Sequence, residues 1–213
     1  MYRYLDEQLP KLKKRLKTEV NHVGTMGFDE LNVVGTKKTT KAMFERLLAN
    51  NENAFLRVAK STHRDAVKTA RAAGFVGGEE TEIDLDWLMG VLLAYNLVTG
   101  YVYDREAERK RLRLNEQILT AREFGNRQML HDSLQRTANL WWTQTSQYGI
   151  DVVDKATLRG YRDMGVDRVR WVAIIDTATC DVCRERHGVI YKIKDIPAKT
   201  HYGCRCRLEP VRE

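Results

Sequence analysis

The chain has 213 residues, 43% of them hydrophobic and only three of them proline, which describes a folded protein with one core or one core plus a small appended unit. Its 36 basic and 29 acidic side chains leave a net charge of +7, a modest excess that favours anionic partners without singling one out. No apolar run approaches the roughly 20 residues needed to cross a bilayer, and Met1–Asp6 opens no signal-peptide core, so no membrane role and residence in the producing cell's cytosol are expected.

Residues 1–20 set Leu5, Leu9, Leu12 and Leu16 at helical spacing among Lys11, Lys13, Lys14, Arg15 and Lys17, which predicts a basic amphipathic helix. Residues 21–36, with Gly24, Gly27 and Gly35, read as a loop. From about Thr39 to Ala73 the pattern is one long helix or two broken near Asn50-Asn51, ended by Gly74 and Gly77-Gly78. A helix is expected from about Leu85 to Val98. After Tyr101-Val102-Tyr103 a charged helix runs to about Phe124, with Ala107, Leu114, Ile118 and Ala121 on its apolar stripe and Arg105, Arg109 and Arg113 on another face. A further helix spans roughly Asn126 to Tyr148, and Asp151 caps a last one that finishes at Gly165 with a left-handed C-cap.

Beyond Gly165 the period changes to alternation. Val169, Trp171, Ala173 and Ile175 read as a strand, and Gly188-Val189-Ile190-Tyr191 as its return, with Cys180-Asp181-Val182-Cys183 in the connection. The expected fold is α+β: a mostly helical N-terminal body, residues 1–165, and a small C-terminal β-hairpin unit, residues 166–213.

All four cysteines fall in that small unit. Cys180 and Cys183 are two residues apart, and after 17 intervening residues His201 and Cys204 repeat the gap, with Cys206 just beyond. Paired knuckles of this spacing make a closed structural zinc site, which would stabilise a unit too small to hold itself by burial. The first choice of ligands is Cys180, Cys183, His201 and Cys204; Cys206 in place of His201 gives an all-thiolate site, and the spacing accommodates both. Arg205 is positioned to offset thiolate charge, and His187 is a weaker candidate. Competing readings are metal-free buried cysteines, a Cys180–Cys183 redox pair lacking its usual βαβ context, and a catalytic zinc served by Asp176, Asp181 or Glu185.

The ordered series Val169-Arg170-Trp171-Val172, Asp176, Cys180-x-x-Cys183, Gly188, Tyr191, Pro197 and His201-x-x-Cys204-Arg205-Cys206 resembles the phage Mu F-like head morphogenesis proteins. Weaker likeness extends upstream through Gly100-Tyr101-Val102-Tyr103, Glu108-Arg109-Lys110-Arg111 and residues 141–161, so that it covers the chain from near residue 95 to its end. The resemblance implies a non-enzymatic minor capsid component, assembled in the host cytoplasm and carried inside the virion. Its expected partners are the portal protein, capsid or scaffold proteins and, as for some relatives, double-stranded DNA bound without sequence preference. Lys11, Lys13, Lys14, Arg15 and Lys17, with Arg105, Arg109 and Arg113, are the candidates for such contacts, against the plainer reading of solvated helix faces. The alternatives are a metal-dependent phage nuclease, for which a second His/Asp cluster is lacking, and a zinc-containing DNA-binding protein, for which the segment after Cys183 is too short to present a recognition helix.

Overall fold

The computed structural model describes residues 1–78, 81–96, 98–199 and 201–212. Five main helices come first: α1 (Arg3–Thr25), α2 (Val33–Ala72), α3 (Leu85–Leu92), α4 (Tyr103–Glu123) and α5 (Arg127–Asp163). Then follow β1 (Arg168–Val172), a short helix α6 (Asp181–Arg186), β2 (Ile190–Lys192), a 3-10 turn (Ile193–Asp195) and β3 (Arg207–Val211). The expected α+β class, helical with a small antiparallel sheet near the C-terminus, is what the chain adopts. The sheet has three strands where a hairpin was expected.

Several boundaries differ from the sequence pattern. Neither α2 nor α5 is broken: the helices expected at 126–148 and 151–165 are one, so Asp151 is an interior residue and caps nothing. The loop expected at 21–36 shrinks between Thr25 and Val33. The helix expected to reach Val98 stops at Leu92, because Asn96 Oδ1 accepts the backbone N–H groups of Val98 (2.9 Å) and Thr99 (2.7 Å) and closes a turn. Leu97 lies outside the described residues. β1 ends at Val172, three residues short of the alternation that suggested it.

The chain gathers into two compact units. Unit one is Met1–Asp6, Phe55–Val91 and Gly149–Glu213; unit two is Glu7–Ala54 and Leu92–Tyr148. The boundary read at residue 165 marks the passage from helix to sheet, within unit one.

Unit two is helical. Its core holds Phe44 edge-on to Trp141 (5.4 Å between centroids) and Tyr103 against Tyr148 (4.7 Å). Several polar groups inside pair with one another: Asn51 Nδ2 donates to Thr145 Oγ1 at 3.0 Å and to the Tyr103 hydroxyl, and Thr40 pairs with Asn115, whereas the buried Gln144 amide has no hydrogen-bond partner among the described residues.

In unit one β1 is the central strand, in the order β2-β1-β3, all antiparallel. Alternation sends Val169, Trp171 and Leu208 inward onto Ala66, Val67 and Ala70 of α2 and Tyr161 and Met164 at the end of α5. The outward face carries Arg168, Arg170, Lys192 and Arg207. Gly165, at φ +70°, ends α5: Val166 N–H reaches back to the Tyr161 carbonyl (3.0 Å) and Gly165 N–H to that of Arg162 (2.9 Å), the left-handed C-cap expected there. This turn feeds β1 across the helices that it covers.

Candidate metal centre

The connection from β1 to β2 presents the first two cysteines. Gly188 N–H donates to the Trp171 carbonyl (2.8 Å) and Ala173 N–H to His187 Nδ1 (3.2 Å), closing residues 174–187 into a loop on the strand ends. Within it Cys180 caps α6, and the Cys183 N–H donates to Cys180 Sγ at 3.3 Å. The cap sulfur turns back toward the first helical turn, where Cys183 is buried beside it.

The loop leading into β3 presents the rest. Gly203, at φ +72°, makes the bend between His201 and Cys204 that a side chain would strain. Cys183 Sγ lies 3.3 Å from His201 Nε2 and 3.6 Å from Cys204 Sγ. The ligand atoms of Cys180, Cys183 and His201 all lie within 4.8 Å of one another, as do those of Cys183, Cys204 and Cys206. Cys183 belongs to both groups.

These separations fit an ion. With metal–sulfur bonds near 2.3 Å and metal–nitrogen bonds near 2.0 Å, the edges of a tetrahedron are about 3.8 Å between sulfurs and about 3.5 Å from sulfur to nitrogen. The His201 tautomer also suits. Its Nδ1 sits 3.0 Å from the Tyr202 carbonyl, which can only accept, so the proton is on Nδ1 and the Nε2 lone pair faces Cys183. All four cysteines are free thiols, and burial pushes those of Cys183 and Cys204 above their ordinary value. The cluster can therefore hold a metal ion, whose arrival would displace thiol protons.

His187 stands outside both groups, its Nδ1 taken by Ala173 N–H. Asp176 is occupied by a turn, accepting from Ala178 N–H at 2.9 Å and Thr179 Oγ1 at 3.0 Å. Arg205 points its guanidinium at Asp6 (2.8 Å) and over the Tyr2 ring (5.5 Å).

Three residues beside the cluster carry no sequence signal. The Tyr2 hydroxyl donates to Asp154 Oδ1 (2.7 Å) and lies 3.1 Å from the Cys206 carbonyl, while Lys199 Nζ reaches Asp154 Oδ2 at 2.7 Å. Burial raises the Asp154 carboxyl despite the opposing Lys199 charge and the Tyr2 hydrogen bond. Unit one holds a second buried pair, His63 Nε2 with Asp163 Oδ2 at 2.8 Å, where Asp163 also accepts from Thr81 N–H (2.9 Å) and Thr81 Oγ1 (3.0 Å).

The predicted contact residues lie in unit two. Lys11, Lys13, Lys14, Arg15 and Lys17 are exposed on α1, while Leu12 and Leu16 are buried. Lys13 lies over the Trp142 ring (5.4 Å) and Arg15 bonds Asn50. On α4, Arg105, Arg109 and Arg113 are exposed, but Arg109 is clasped by buried Glu106 (2.8 and 2.9 Å) and stacked on Tyr101 (4.4 Å). That stripe is thus partly neutralised.

Helices under a three-stranded sheet whose connecting loops gather four cysteines and a histidine make a unit able to hold a metal ion. Residues 149–209, a stretch that takes in the whole cluster, match the family described as Phage Mu protein F like protein. Over that stretch, less than half of the chain, the sequence is similar to the phage Mu F-like proteins, a likeness that points to a phage head-related protein. The match begins at residue 149 and not near residue 95, where the resemblance was expected to start. No curated protein and no solved structure matches the chain. Among the described residues, no helix is long and apolar enough to cross a membrane.

Proposed function

We propose that this chain is a minor head protein of a bacteriophage, a structural component without catalytic turnover, whose C-terminal unit is pinned by one structural zinc ion. In this reading it sits inside the procapsid against the portal protein, with capsid or scaffold proteins as neighbours. The observation that carries it is the coincidence of the family match over residues 149–209 with two groups of three donor atoms, sharing Cys183, each within 4.8 Å of one another. Zinc is favoured over other divalent ions because thiolates with one imidazole, in a site closed by protein donors, suit its tetrahedral preference. The exposed basic residues of α1 support phosphate contact with packaged double-stranded DNA, without base readout.

Elemental analysis of the purified protein is expected to give one zinc per chain. Co-expression with the portal protein of the same phage is expected to yield a complex that survives affinity purification. Metal-free protein that unfolds no differently with chelator, or a portal protein that leaves it behind, would overturn the respective half of this reading.

A further inference from the structure

The first turn of α1 belongs to the same compact unit as the cysteine cluster, although some two hundred residues separate them. Leu5 is fully buried there. The loop that brings three of the five donors is also the loop that holds this turn. At one end of it, Lys199 Nζ donates to the Tyr2 hydroxyl and to Asp154 Oδ1 (2.9 Å), and lies 5.0 Å over the Tyr2 ring. At the other, Arg205 pairs with Asp6 at 2.8 Å and stands over the opposite part of the network at 5.5 Å from the Tyr2 centroid. The Cys206 carbonyl lies 3.1 Å from the Tyr2 hydroxyl. Between Lys199 and Arg205 lie His201 and Cys204, with Cys206 immediately beyond.

A loop with both ends fastened to one aromatic ring has little freedom left to lose when its donors close on an ion. Conversely, an ion that fixes the loop fixes the groups that grip Tyr2. We infer that the N-terminal turn, through Tyr2 and Asp6, is a positioning element of the metal centre, so that metal occupancy and docking of residues 1–6 are thermodynamically coupled. The inference rests on the reading of the cluster as a metal site. Coupling of this kind is reciprocal: the factor by which the docked turn tightens metal binding equals the factor by which metal tightens the docking. Groups that orient ligand-bearing loops typically change metal affinity by roughly 10–100-fold when removed.

The test uses full-length protein and zinc alone, with affinity read by competition against a chromophoric chelator. Tyr2→Phe deletes the hydroxyl and keeps the ring; Asp6→Asn breaks the Arg205 pair at the surface. Each is expected to weaken zinc binding, Tyr2→Phe by roughly tenfold. Arg3→Gln, in the same turn but facing Asp65 at 3.0 Å, is expected to leave affinity unchanged. Hydrogen exchange supplies the reverse measurement: stripping zinc from wild-type protein should speed exchange in residues 3–8 by a similar factor. Zinc bound with equal affinity by all four proteins, or exchange in that turn indifferent to zinc, overturns the coupling and leaves the metal site standing. Equal weakening by Arg3→Gln also overturns it, since the turn would then act only through general stability. Absence of zinc binding from wild-type protein overturns the metal reading and the coupling together.

Discussion

Gly160→Ala isolates the close approach on which unit one is built. Gly160 lies on α5, where a Cβ would fall 2.8 Å from the His63 carbonyl oxygen, 2.9 Å from Ala66 Cβ and 3.3 Å from the Val67 nitrogen, all on α2. Two of the three obstacles are backbone atoms, which no rotamer change can move. The helices must part by several tenths of an ångström, loosening the His63–Asp163 bond (2.8 Å) one turn away. Overpacking of this kind costs about 1–3 kcal/mol, against a helix-propensity gain of about 1 kcal/mol for alanine over glycine. The balance is a loss of about 0–2 kcal/mol, or a fall in Tm of up to about 8 °C at this chain length. Gly90→Ala is the matched control, since Gly90 is exposed on α3 and an added Cβ would meet nothing within 4 Å. There only the propensity gain remains, and Tm should rise slightly. Thermal unfolding of both variants by circular dichroism decides the matter. A Gly160→Ala protein as stable as Gly90→Ala would refute the claim that contact between α2 and α5 is limited by main-chain atoms.

Cys183 is common to both donor groups, so Cys183→Ser is expected to lose bound metal, whereas Cys206→Ser and His201→Ala each leave four donors and should retain it; metal content after gel filtration checks this. Burial alone would raise the Asp163 carboxyl, yet hydrogen bonds from His63 and Thr81 and the Arg159 charge outweigh burial and hold it below its ordinary value. Its stabilising contribution is therefore complete above about pH 4, the unfolded value, and fades as pH falls through the lower folded value. Asp163→Asn should flatten the loss of Tm between pH 5 and pH 3 relative to wild type. Asn51→Ala removes the amide that donates to the Tyr103 and Thr145 hydroxyls inside unit two and should cost about 1–2 kcal/mol by denaturant titration. Replacing Lys11, Lys14 and Lys17 with glutamine should make the salt dependence of duplex DNA binding shallower by about 2.7 in log–log slope if all three meet phosphates; an unchanged slope would assign them to solvent.

The helical body, the change of period after Gly165 and the clustering of five donors are legible in the residues because each rests on local spacing. What escapes depends on distant partners. Gly149 and Asp151 look like a break and a cap, but an added Cβ at Gly149 would come within 2.6 Å of Leu5 Cδ1, so the glycine serves packing inside a continuous α5. Asn50-Asn51 suggests an interruption of α2, yet Asn51 faces inward and satisfies Tyr103 and Thr145, contacts that no helical pattern announces. β3, which the expected hairpin did not include, contains Pro210, a residue that argues against a strand. As an edge strand it tolerates proline, with Pro210 opposite Val169. The roles of Tyr2 and Asp154 were invisible for the same reason: Tyr2 stands at the far end of the sequence from the cysteines, and Lys199, the partner of Asp154, carries no motif.

The order in which this chain leaves a ribosome meets an obstacle in unit one. Its three stretches include the first six residues and everything from Gly149 onward, so the opening turn of α1 meets Gly149 and Asp154 on α5, and then Lys199 and Arg205, only late in synthesis. Unit two has all its residues once Tyr148 has emerged, roughly sixty residues earlier. Until α5 has been made the nascent polypeptide therefore carries Leu5 and Tyr2 without the α5 partners that they meet in the folded unit, a natural target for a holding chaperone.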